Sequence, residues 1–258
     1  LHEVREEYQR IPDGSINLEM YTPFVKEKIA ELEKNGIVHL TGFFSEQEFA
    51  DLVNDYTTCL DRLEVLRKNR TIPISSLSKE YYRSAENILI CNDPYKYSPN
   101  LVRLCCNTFL NNIACGYLKK QVYVTKGWAA RYLPGGKEGI GVFCWHHDAA
   151  GKRLKMMILM RDVTENDRYL IYLRGTHAFR FSYNQYVKNM LKPDECMEMV
   201  PNPDEFHAVG KAGDIFIFDT NGIHRGTCSE KGGRDVFLVT YTADKSHTWG
   251  CDVSPELV

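Results

Sequence analysis

No apolar run in this 258-residue chain approaches the roughly 18 residues that a bilayer-spanning helix needs, and no basic-then-apolar leader opens it. Neither sign of charge dominates: 32 Lys and Arg stand against 34 Asp and Glu, a formal net charge of −2. That balance gives no electrostatic reason to expect a nucleic acid or an anionic membrane as partner. The sequence has no Cys-x-x-Cys pair, no phosphate-binding glycine loop and no Gly-x-Ser-x-Gly turn. Structural zinc ribbons, P-loop chemistry and serine-hydrolase chemistry therefore have no motif to rest on. Nine cysteines, odd in number and several in apolar context, read as buried thiols of a reducing compartment rather than a disulfide framework. A cytoplasmic setting is expected. There is no repeat, no low-complexity tract and no linker that would split the chain.

What is present fits one domain. A chain of 258 residues can bury roughly 70–75% of its unfolded surface without covalent staples. Thr22-Pro23 opens a helix with a cap and a first-turn proline. Phe24, Val25, Ile29 and Leu32 supply its apolar stripe, and Asn35-Gly36 ends it. Ile37–Leu40 reads as a short strand, and Ser45 with Glu48 as a capping box for a second helix. Residues 67–97 are polar and read as irregular. Ser98-Pro99 starts a third helix that runs through Ile113 and closes near Gly116.

From Gln121 the period changes to short strands: Val122–Val124, Trp128–Leu133, Ile140–His146, Leu154–Met160, Tyr169–Leu173, Ile215–Phe218 and Val236–Tyr241. Residues 181–209 read as an insertion with a possible helix over Tyr183–Leu191. The expected fold is mainly β with flanking helices, a single β-sandwich or jelly roll. A mostly helical part over residues 1–120 packs on a core over residues 121–258.

The chemistry is concentrated in Trp145-His146-His147-Asp148, with His224 and Arg234 far downstream. A histidine and a carboxylate two positions apart, completed by a distant histidine, form the ligand set of a two-histidine, one-carboxylate iron site. Such a site leaves positions open for oxidant and cosubstrate. On a strand, His146 and Asp148 share one side and His147 points to the other. Arg234 supplies a rigid bidentate fork for a carboxylate. The turn Glu230-Lys231-Gly232-Gly233 predicts a hairpin that sets the strands of His224 and Arg234 side by side.

With these residues in this order, the chain resembles the phytanoyl-CoA dioxygenase-like superfamily of Fe(II)- and 2-oxoglutarate-dependent oxygenases. Leu32–Ser45, Trp145–Asp148, Met160–Asn166, Gly175-Thr176-His177, Gly213–Asp219, His224 and Arg234 carry the resemblance over most of the length. It implies a double-stranded β-helix, a cupin-like jelly-roll variant, with iron ligation by His146, Asp148 and His224, and a grip on the distal 2-oxoglutarate carboxylate by Arg234. Thr227 falls where such proteins often place a hydroxyl near the cosubstrate. It further implies O2-dependent hydroxylation of a small-molecule substrate, with succinate and CO2 released. Arg168-Tyr169 and Arg174 depart from the usual glycine and proline near the Gly-Thr-His turn, away from the metal set.

Arg131, Trp145 and His147 are candidate substrate contacts, Arg131 for an anionic group; the alternatives are packing or surface roles. His177 reads as a structural hydrogen-bonding residue, Lys152–Lys155 as a solvated turn, and Met157 as a core residue that could line the cosubstrate pocket. Desaturation, cyclisation and epimerisation use the same ligands. Halogenation would need the register His147-Asp148-Ala149, and a non-catalytic metal- or 2-oxoglutarate-binding protein is the rival from another class.

Overall fold

Helix α1, Pro23–Asn35, forms where the cap signals placed it. The Thr22 hydroxyl accepts from Val25 N, and Gly36 ends the helix at φ 77°, a conformation that costs glycine no steric penalty. Helix α2, Glu46–Leu60, opens with the complete Ser45–Glu48 capping box. The computed structural model describes residues 16–61, 64–67, 70–73, 87–139, 141–148, 153–179 and 189–243. Among them no helix is long and apolar enough to cross a membrane.

The continuous third helix expected from Ser98 is two: α3, Pro99–Cys105, and α4, Thr108–Leu118. Asn107 divides them, because its side-chain oxygen accepts from Phe109 N and Leu110 N and so starts a new helix. The second piece runs through Gly116 and ends at Lys119.

The strands are β1 Ile37–Leu40, β2 Glu64–Arg67, β3 Arg70–Pro73, β4 Ile88–Asn92, β5 Tyr123–Tyr132, β6 Trp145–His146, β7 Arg153–Leu159, β8 Leu170–Leu173, β9 Met190–Leu191, β10 Glu205–His207, β11 Ile215–Asp219, β12 His224–Gly226 and β13 Arg234–Thr242. They form two antiparallel sheets, in the order β1-β11-β7-β13-β5-β4-β2-β3 and β10-β8-β12-β6-β9. From β5 onward the chain passes repeatedly between the two sheets, the jelly-roll arrangement the strand pattern implied.

Alternation along the strands gives the larger sheet two apolar faces. Ala130, Met157, Leu159, Phe216 and Val236 turn inward, toward Leu170 and Tyr172 of β8. Ala129, Met156, Ile158, Ile217 and Phe237 turn outward under α1–α4, represented by Ile29, Leu52, Leu101 and Ile113. A third cluster, with Trp145, Ile171, Leu173 and Cys196, covers the outer face of the smaller sheet beneath α5, Pro193–Met199. The helices thus brace one wall of the roll and leave its interior to the site.

Other expectations need correction. The polar stretch 67–97 contains β3 and β4; the apolar run Ile88–Cys91 pairs along β5. Ile140–His146 is not one strand, since Gly141–Phe143 is a 3-10 turn and β6 has only two residues. In the 181–209 insertion, residues 181–188 lie outside the described set, while β9, α5 and β10 occupy much of the rest. Phe24 is exposed and stacks on Phe109 instead of joining the α1 core stripe. The eight described cysteines are thiols, four of them buried and four partly so, and Cys251 lies outside the described residues.

Candidate functional site

β6 and β12 lie side by side in the smaller sheet with His146 directly opposite His224. Their rings come to 4.3 Å between centroids. Each ring is fixed from behind: His146 Nδ1 meets Cys144 O at 2.8 Å, and His224 Nδ1 meets Gly222 O at 2.8 Å. A carbonyl only accepts, so each Nδ1 carries the proton and each Nε2 keeps its lone pair. Burial pushes both imidazoles down, His224 to about 3 with help from neighbouring His146, which keeps them neutral.

Asp148 lies beyond the end of β6, so no ladder holds it. Its backbone N–H instead donates to Thr220 O at 2.8 Å. Burial alone would raise its pKa, but the Lys155 ammonium holds it below the usual carboxylate range. Donor atoms of His146, Asp148 and His224 all lie within 4.8 Å of one another. Two metal–ligand bonds of about 2 Å span roughly 4 Å, so small side-chain movements bring the three onto one ion. Two neutral imidazoles and an ionised carboxylate are the donor set a divalent iron requires.

Arg234 opens β13 and turns inward with Val236. It is only 4% exposed. Its guanidinium lies over the Tyr132 ring at 4.3 Å, and Nε and Nη1 have no hydrogen-bond partner among the described residues. A buried cation with two donors unspent fits an anion that arrives with a ligand. The turn before it is tight: a Cβ at Gly233 would run into the Tyr132 carbonyl. That turn is not the expected hairpin between neighbouring strands. β12 belongs to the smaller sheet and β13 to the larger, so it carries the chain across the interior.

The remaining candidates are placed differently. The Thr227 hydroxyl accepts from Tyr169 N at 2.9 Å and donates to Tyr169 O at 3.1 Å, which ties it to the β8 approach. Arg131 has the wrong strand parity for the interior. It faces the helix side, where it forks onto Asp235 through Nε and Nη2 at 2.7–3.2 Å. Trp145 lies in the outer cluster of the smaller sheet under the Arg225 guanidinium at 4.8 Å. His147 is wholly buried, with Nδ1 at 2.9 Å from Asp148 O. His177 bonds Glu33 O at 3.1 Å, and Met157 faces inward.

Sequence reading missed Lys155, whose Nζ reaches Asp148 Oδ2 at 2.6 Å. Its signal was the parity it shares with Met157 and Leu159 along β7. Since Arg131 braces the sheet and not the interior, Arg131→Ala should cost on the order of 1 kcal/mol of stability. It should leave 2-oxoglutarate binding unchanged. Chemical denaturation and a ligand titration on the same variant check both halves.

No protein-family model matches the sequence, and no curated protein matches it either. Solved structures do match. EctD from S. alaskensis, determined with 2-oxoglutarate and 5-hydroxyectoine, superposes with a TM-score of 0.68 at 19% identity, over 90% of this chain and 80% of that one. At this identity the likeness is one of fold. The epimerase SnoN, in complex with Fe3+, α-ketoglutarate and nogalamycin RO, gives 0.61 at 15% identity over 85% and 83%. HygX from Streptomyces hygroscopicus, with nickel, 2-oxoglutarate and hygromycin B, gives 0.59 at 13% over 85% and 88%. These neighbours share the architecture that the phytanoyl-CoA dioxygenase-like resemblance implied.

Proposed function

We propose that the chain is a single-domain Fe(II)- and 2-oxoglutarate-dependent dioxygenase that hydroxylates a C–H bond of a small molecule. One juxtaposition carries the reading: a neutral two-histidine, one-carboxylate set on one wall of the roll, and a buried guanidinium with unspent donors on the facing wall. His146, Asp148 and His224 would hold the iron. Arg234 would hold the distal carboxylate of 2-oxoglutarate, while Thr227 ties the end of β12 to the approach of β8. Bound iron and 2-oxoglutarate supply the oxidising chemistry, in which O2 is consumed and succinate and CO2 are released. The protein's part is placement and charge. The Nδ1 bonds hold both imidazoles in the ligating tautomer.

The substrates in the neighbouring structures support a small-molecule reading, and their reactions include epimerisation and carbocyclisation as well. Product mass separates these outcomes. A metabolite-library screen with Fe(II), 2-oxoglutarate and O2 should yield succinate and a product heavier by one oxygen. A product short of two hydrogens would indicate desaturation or cyclisation, and one of unchanged mass epimerisation. Because Asp148 turns one oxygen toward the histidines, chloride has no expected inner position. Its removal should leave the product unchanged, and a chlorinated product from the unmodified protein would refute the assignment of Asp148.

A further inference from the structure

The two oxygens of Asp148 face different partners. Oδ1 turns toward His224 Nε2 at 4.0 Å, while Oδ2 is held by Lys155 Nζ at 2.6 Å. Strand register explains the lysine: on β7 it faces Phe218 of β11 and Thr240 of β13, two positions before inward-facing Met157. Arg234 begins β13 six residues before Thr240, roughly 20 Å along the strand. The two cations therefore enter the interior from opposite ends.

We propose that Lys155 is a positioning residue for the metal. Its ammonium holds the non-ligating oxygen of Asp148, so that the carboxylate meets iron through Oδ1 alone. A carboxylate free at both oxygens can chelate one ion and so occupy a position that cosubstrate or O2 needs. A charge-assisted bond from an ammonium ties one oxygen and fixes the side chain's rotation. Partners of this kind typically govern metal affinity by 10–100-fold. The inference rests on the metal-site reading above.

The test uses the full chain with Mn(II) as probe, comparing wild type, Lys155→Met and Lys155→Arg. Free Mn(II) is read by electron paramagnetic resonance, folding by circular dichroism, and coordination from Mn(II)-loaded crystals. Lys155→Met should bind Mn(II) about tenfold or more weakly, with Asp148 chelating through both oxygens. Lys155→Arg, which keeps the cation, should recover most of the affinity. In the loaded wild type, Nζ should stay within hydrogen-bond distance of Oδ2. Unchanged or tighter Mn(II) binding by folded Lys155→Met would overturn the role of Lys155 alone. So would a loaded wild-type structure with Lys155 turned away, which decides the matter even if the methionine variant fails to fold. A wild type that binds no Mn(II) would overturn the metal site itself, and this inference with it.

Discussion

Asp148→Ala is expected to abolish turnover and to weaken divalent-metal binding by on the order of a hundredfold or more. Residues that merely support a ligand are commonly worth 10–100-fold, and the ligand itself is worth at least as much. Two neutral histidines would remain, and two imidazoles without a charged donor bind a hard dication poorly. The fold should survive, because the contact that anchors this segment is the Asp148 backbone N–H on Thr220 O, which alanine retains. Metal titration and succinate release read the effect, with circular dichroism as the folding control. Full activity would mean that the carboxylate is not a ligand.

Arg234→Ala is expected to raise the requirement for 2-oxoglutarate by at least about tenfold while leaving the metal site intact. Truncating one partner of a buried charge pair costs roughly 2–5 kcal/mol, which is more than a tenfold change in affinity. The guanidinium has no carboxylate partner among the described residues to lose. Loss of cosubstrate affinity should therefore far exceed any loss of stability. Titrating 2-oxoglutarate and Mn(II) separately into wild type and variant distinguishes this from general disruption. An unchanged 2-oxoglutarate titration would remove Arg234 from the site.

Local signals specify much of the framework. Thr22, Gly36 and the Ser45–Glu48 pair are side-chain or backbone events within four residues, and they formed as written. The meeting of His146, Asp148 and His224, whose donor atoms lie within 4.8 Å of one another, was legible from their spacing and order. What failed depends on contacts distant in sequence. Nothing local told that Asn107 would restart a helix whose apolar period continues across it. Nor did anything show that Ile88–Cys91, set among polar residues, would find the edge of β5. The Glu230–Gly233 turn has hairpin chemistry, yet it spans two sheets, a choice made by packing.

Parity explains the errors at the site. Arg131 stands between Ala130 and Tyr132, which face inward, so it must face the helices. Trp145 precedes inward-facing His146 and so lies outside. The rule that turned His147 away from the metal applied equally to Trp145. Applied to β7, it would have moved Lys155 from a solvated turn into the interior beside Met157.

The most direct test of the account is anaerobic titration of 2-oxoglutarate into the Fe(II)-reconstituted protein, following the visible charge-transfer band of the iron–2-oxoglutarate chelate. A saturable band at one equivalent of iron is expected, absent without metal and absent in Asp148→Ala. In Arg234→Ala the band should be displaced to at least about tenfold higher cosubstrate. A wild-type protein that binds Fe(II) yet develops no such band, or binds 2-oxoglutarate equally well without metal, would contradict it.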